Sequence, residues 1–262
     1  MSPARRRLLA AGLLAGLLTL PLAAVLAPPD AVQGQAQRLM YLHVPAAWSA
    51  YLCFTMVTAL SIRQLFRRDD AHLEEARAAA EIGVLLTGFT LVTGSIWGAL
   101  TWGTWWAWDA RVTSTVVMGL VYVAYLAAGG LAHGRRGRQA HAAIGAAGFL
   151  TVPLVHFSVL WWRTLHQPPT ILAPSLDPPM ELLMLLALGA SMLTFSLLTV
   201  WAVNQRAATA SWAQAAPTTG ASTGASTPGS PGSPGSLGSS GSASEPRDET
   251  AAAQRAEQDR VR

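Results

Sequence analysis

The sequence predicts an all-α, polytopic membrane protein with six transmembrane helices, both termini cytoplasmic, and a disordered C-terminal tail. Three observations predict it. The 262-residue chain is 51% hydrophobic and only 12% charged, whereas a soluble domain carries about 25% charged residues. Six runs lack Asp, Glu, Arg and Lys and approach the roughly 20 residues that cross a bilayer core. The positive charge comes from arginine alone, and the arginines crowd onto one set of connecting segments.

The runs are residues 8–27, 46–62, 82–100, 112–131, 142–162 and 182–203. They are apolar on all sides rather than along one stripe, which is the mark of a membrane span. The first follows "MSPARRR" and resembles the start of a signal peptide. Its apolar run is longer than a signal core, so it is expected to be retained. The second is short, but its uncharged run begins at Leu39 and takes in His43, with Pro45 suited to the helix's first turn. The fifth is the one span with a histidine, His156.

Orientation follows from the arginines. Arg5, Arg6, Arg7, Arg63, Arg67, Arg68, Arg77, Arg135, Arg136, Arg138 and Arg206 fall on one side, and only Arg38, Arg111 and Arg163 on the other. By the positive-inside rule the first side is cytoplasmic. Segments 28–45, 101–111 and 163–181 then face outward. A basic pI in such a chain reflects this asymmetry and implies no nucleic-acid partner. Residues 1–206 are expected to form the membrane domain. Residues 207–262 include "TTGASTGASTPGSPGSPGSLGSSGSASEP" and bury too little apolar surface to order, so a disordered cytoplasmic tail is expected.

The single cysteine, Cys53, excludes an intramolecular disulfide and any CxxC or CxxCH motif. Lying inside the second span, it is expected to be a small packing residue. Histidine is therefore the first metal ligand to consider. His43, in "YLHVPAAW", and His156, in "VPLVHFSVLWW", both lie near the external surface, His156 roughly 9 Å below its helix end. Between them in sequence runs "WGTWWAWD", residues 102–109, with four of the ten tryptophans.

A belt of interfacial tryptophans explains Trp48, Trp161 and Trp201. It explains the dense patch of Trp102, Trp105, Trp106 and Trp108 less well, joined as it is to Asp109 and Arg111. A porphyrin needs aromatic faces to cover it, axial ligands for its iron and cations for its propionates. The outer segments supply tryptophans, two histidines, and Arg38, Arg111 and Arg163. Arg111 is read either as a propionate partner or as half of a local ion pair with Asp109. His72, His133 and His141 fall in cytoplasmic segments and face solvent or head groups. His166, in loop-like "HQPPT", ranks below His156 as a ligand.

"WGTWWAWDARVTS" resembles the tryptophan-rich WWD signature of bacterial haem-handling membrane proteins. Trp102, Gly103, Trp105, Trp108, Asp109, Arg111 and Thr113 match in register. With its length, six spans and external histidines, the chain over about residues 1–204 is similar to the cytochrome c maturation protein C family, also called haem exporter protein C.

The resemblance implies a non-enzymatic role at the periplasmic face of the bacterial inner membrane. Haem, b-type and held transiently without a covalent bond, is ligated by two histidines, which match His43 and His156 here. The tryptophan loop forms a platform where a periplasmic haem chaperone, cytochrome c maturation protein E, receives haem for c-type cytochromes. Implied partners are the ABC transporter subunits, cytochrome c maturation proteins A and B, a small single-span protein D, and membrane lipid. The chain has no G-x-x-x-x-G-K-[ST], so an ATPase must be another chain. The competing readings are a haem lyase-type WWD protein, usually longer with a deeper histidine pair, and a b-type electron-transfer protein with histidines facing inside the bundle.

Overall fold

The computed structural model describes residues 1–68, 70–166 and 180–215, with side chains to residue 210. The expected disorder of the tail beyond residue 215 lies outside the described residues. Helices are α1 (Pro3–Pro21), α2 (Met40–Arg67), α3 (Leu73–Trp102), α4 (Ala110–Gly129), α5 (Gly134–Gly148), α6 (Thr151–Trp161) and α7 (Leu182–Ala215). A π turn, Leu22–Leu26, continues α1, and a 3₁₀ turn, Gln35–Leu39, leads into α2. Counting each turn with its helix, and α5 with α6, six spans are long and apolar enough to cross a membrane. Among the described residues there is no strand.

Local chemistry sets the helix ends. Ser2 caps α1 through its Oγ, with Pro3 in the first turn where a missing N–H costs nothing. Gly103, at φ 72°, closes α3 in the left-handed region that favours glycine. Asp109 caps α4 by accepting the Val112 N–H at 2.8 Å.

Three boundaries differ from expectation. Pro45 does not open α2 but sits inside it, because the 3₁₀ turn starts the helix at Met40 and brings His43 within it. The fifth span is broken at Phe149–Leu150 into α5 and α6. Pro153 explains the break: it has no N–H to offer the Phe149 carbonyl, and its ring crowds that carbonyl. The last helix runs through Ala215, beyond the apolar run that ends at residue 203.

The central helix is α2, which packs on α3, α5 and α7. Its contacts depend on small residues, as expected where lipid supplies no hydrophobic drive between helices. Phe54 of α2 stacks on Tyr122 of α4, centroids 3.6 Å apart and planes at 8°. A side chain at Gly83 of α3 would come within 2.6 Å of the Phe54 ring. Cys53, 2% exposed, belongs to this core as expected. A second cluster, of Ala27, Met40, Tyr41, Ala187 and Leu188, secures the start of α2 against α7. There Trp48 donates to the Ser196 Oγ at 3.3 Å, so it joins helices rather than serving only as a belt residue. At the opposite end of the bundle Arg206 of α7 pairs with Glu81 of α3 at 2.6 Å, and Arg138 pairs with Asp70 at 2.8 Å.

Candidate functional site: a tryptophan- and histidine-lined cleft

The starts of α2 and α4 and the end of α3 meet the segment after α6 around an open cleft of about 810 Å³, counting its solvent mouth. Ligand pockets commonly fall between about 300 and 1,000 Å³. Its lining includes His43, Trp102, Trp105, Trp106, Asp109 and Arg111, all anticipated from sequence, and also His166. Trp108 and His156 are not among its lining residues.

Two histidines enter the cleft from separate segments, each tethered at Nδ1. The His43 Nδ1 lies 3.2 Å from the Thr93 Oγ1, whose own hydrogen goes to the Phe89 and Thr90 carbonyls. Nδ1 is then the donor, and Nε2 keeps a free lone pair. The ring stands edge-on to Trp97, centroids 5.6 Å apart. It is so close to α3 that a Cβ on Gly94 would lie 2.8 Å from its Cε1. The His166 Nδ1 lies 2.8 Å from the Asp109 Oδ2, again with no hydrogen bond at Nε2 among the described residues. Its ring meets Trp102 edge-on at 5.0 Å.

Asp109 thus does three jobs. It caps α4, accepts the Leu165 N–H at 3.3 Å, and orients His166. No ion pair joins Asp109 to Arg111 among the described residues, which corrects the local-pair reading. The reason is geometric: the carboxylate turns to His166, while the guanidinium reaches the His156 carbonyl at 2.8 Å. Partial burial pushes the Asp109 carboxyl up, yet hydrogen bonds from Val112, His166 and Leu165 outweigh it and hold the group below its ordinary value. Burial lowers His166 below its ordinary value, and the bond to Asp109 offsets only part of this.

His156 lies behind the cleft. Its ring stands edge-on to Tyr51, 6.2 Å between centroids, and its carbonyl anchors Arg111. Arg38 is engaged as well, with its guanidinium holding the Ala23 and Ala27 carbonyls at 2.9 and 3.2 Å, where it closes the end of the π turn. Trp105 and Trp108 remain 66% and 71% exposed, far too open for core residues. Trp108 props Trp106 edge-on at 5.2 Å.

Sequence reasoning missed a polar stripe on α3. Thr87, Thr90, Gly94 and Gly98 line the cleft at intervals of three and four residues, the spacing of one helix face. That spacing was a readable signal. The preference for His156 over His166 had no comparable remedy, because the Asp109 contact spans 57 positions.

Fold and cleft together define a class: a polytopic helical membrane protein with an aromatic, two-histidine cleft at one end of its bundle. The sequence model of one family, heme exporter protein C, matches residues 2–221, and the chain belongs to that family. The heme exporter protein C of Escherichia coli (strain K12) is 44% identical over 158 residues, 59% of this chain and 64% of that protein. That of Bradyrhizobium diazoefficiens is 38% identical over 148 residues, 56% of each. A Marchantia polymorpha protein described as a cytochrome c biosynthesis ccmC-like mitochondrial protein is 39% identical over 145 residues, 55% of this chain and 61% of that one. The alignments therefore span less than two thirds of these relatives.

Proposed function

We propose that this protein holds haem in the cleft, at the periplasmic face of the bacterial inner membrane, and presents it to a periplasmic haem chaperone for c-type cytochrome maturation. The observation that carries the reading is the pair of imidazoles, His43 and His166, each tethered at Nδ1, with no hydrogen bond at Nε2 among the described residues, beneath exposed tryptophans. Two such nitrogens would hold haem iron. The donor set fits the group in a second respect: the buried Arg111 Nε in the cleft has no hydrogen-bond partner among the described residues and suits an anionic substituent. The family and its relatives' descriptions support a place in cytochrome c biosynthesis.

In this role the chain is a carrier and not an enzyme. Thr93 and Asp109 keep both rings oriented. Trp102 and Trp106 would cover a bound porphyrin, and the exposed Trp105 would offer an open ring to the chaperone. The complex includes cytochrome c maturation protein E as acceptor, transporter subunits A and B, and the single-span protein D. The haem is b-type, so it is held without a covalent bond and can leave.

His166 replaces His156 as the second ligand in this reading, since only His166 lines the cleft. The test is the ferric spectrum of three alanine variants in the full-length protein. His43→Ala and His166→Ala are each expected to lose the six-coordinate, low-spin signature and to regain it with added imidazole. His156→Ala is expected to keep it. A low-spin spectrum in the His43→Ala, His166→Ala double variant without imidazole would refute the assignment.

A further inference from the structure

A second cavity opens at the other end of the bundle. It measures about 780 Å³, counting its open side, and lies between the start of α3, the end of α4 and the start of α5. α4 packs on both neighbours, and the cavity occupies the wedge between them. Arg77 lines it one turn into α3, about 6 Å from Leu73, and His141 lines it about 10.5 Å beyond Gly134 on α5. The cavity therefore reaches about two turns into the bundle. Its inner wall is rigid: the His141 Nε2 donates to the Tyr125 carbonyl at 3.0 Å, and the two rings stack with centroids 4.2 Å apart. A Cβ on Gly129 would lie 3.2 Å from that Nε2, so glycine permits this close approach of α5 to α4.

The lining carries two arginines, Arg77 and Arg138, against one carboxylate, Glu74. Each arginine reaches a neighbouring acid through Nε, Arg77 to Glu81 at 3.0 Å and Arg138 to Asp70 at 2.8 Å. Arg206 behaves differently, giving both Nε and Nη2 to the two Glu81 oxygens at 2.6 and 3.0 Å. The terminal Nη groups of Arg77 and Arg138 make no hydrogen bond among the described residues. Glu81 is shared by Arg77 and Arg206, so that trio keeps a net positive charge. The Nε contacts thus hold two guanidinium forks at the cavity, each with its outer donors uncommitted.

Below the arginines the same helix faces become apolar and open to the bilayer. Ala127 lines the cavity, and Val123 and Leu120, four and seven residues back on that face of α4, are exposed. Ile144, three residues past His141 on α5, is exposed too. We infer that this cavity binds an anionic phospholipid, with its phosphate on the Nη groups of Arg77 and Arg138 and an acyl chain along Ala127, Val123 and Leu120. A phosphodiester offers charged oxygens that match the guanidinium forks, and basic pockets between membrane helices at head-group depth suit such lipids. A free phosphate ester would use the arginines but leave the apolar track uncovered. A zwitterionic lipid would set its own cation beside them. The bound lipid joins α3 to α5 across the wedge.

The test titrates the full-length protein in detergent with dioleoyl phosphatidylglycerol or dioleoyl phosphatidylcholine, which share their acyl chains. Native mass spectrometry counts the bound lipid. One phosphatidylglycerol per chain is expected, held roughly thirtyfold more tightly than phosphatidylcholine, from about fivefold for each arginine. Arg77→Gln with Arg138→Gln is expected to bring the two lipids to parity. Because those changes also remove ion pairs, Ala127→Phe serves as a second variant. It keeps each arginine with its acid, adds bulk to the cavity, and is expected to lose the tightly held phosphatidylglycerol. Equal affinity of the unaltered protein for the two lipids overturns the inference, and so does a preference that persists in either variant. Glycerophosphoglycerol, the head group without its chains, is expected to compete poorly. Displacement of the lipid by an equal concentration of it would assign the site to soluble phosphate esters and overturn the inference as well.

Discussion

Replacing Asp109 by Asn separates the carboxylate's role toward His166 from its role as a helix cap. The side chain accepts three hydrogen bonds, from Val112 N at 2.8 Å, Leu165 N at 3.3 Å and His166 Nδ1 at 2.8 Å. Asparagine keeps the Oδ1 that receives Val112 and is an equally good N-cap, so α4 should form as before. At the other position it presents an NH₂ group to two donors. Loss of a carboxylate that orients a metal-bound imidazole costs about 10- to 100-fold in affinity, which is about 1.4–2.8 kcal/mol. That range agrees with the roughly 1.5–3 kcal/mol of a hydrogen bond to a charged group.

The assay is haem titration of the full-length protein, with the midpoint potential measured on the same samples. The carboxylate makes the imidazole a stronger donor and favours ferric iron, so Asp109→Asn should bind haem more weakly and shift the potential upward. Unfolding temperature should barely move. Asp109→Ala removes the cap too, adding about 1 kcal/mol of destabilisation. Wild-type affinity and potential in Asp109→Asn, alongside loss of binding in His166→Ala, would refute the reasoning.

Gly94→Ala should displace His43, because the new methyl would lie 2.8 Å from its Cε1. A mixed-spin haem spectrum with unchanged helicity checks this. Trp105→Ala with Trp106→Ala should reduce both haem retention and chaperone association, read by spectrum and co-purification. Trp108→Ala should act more weakly, since that ring reaches the cleft only by propping Trp106. Gly83→Ala should destabilise the bundle by about 1–3 kcal/mol through overpacking on Phe54, whose Cε1 would lie 2.6 Å from the new methyl. Thermal unfolding measures that loss.

Much of this molecule is legible along the chain because the bilayer is a demanding solvent. Uncharged runs, arginine asymmetry and the register of "WGTWWAWDARVT" are local properties. They specify six spans and a site near the tryptophan loop without any knowledge of packing. The break at Phe149–Leu150 was also present locally, in Pro153, but hydropathy does not register a missing N–H. Which histidine faces the cleft was not local at all. His43 and His156 share a depth by residue count, yet depth along a helix says nothing about azimuth, and packing turned His156 toward Tyr51. His166 reads as an ordinary loop residue until the chain folds back and sets it against Asp109. The same holds for the cations. Arg38 and Arg111 look equivalent in sequence, but one closes a π turn and the other reaches the His156 carbonyl with its Nε unmatched among the described residues. The bilayer's solvent demand acts on each segment alone, so composition determined the spans; which histidines line the cleft and which charges pair depend on which side chains meet, and only the tertiary structure decided that.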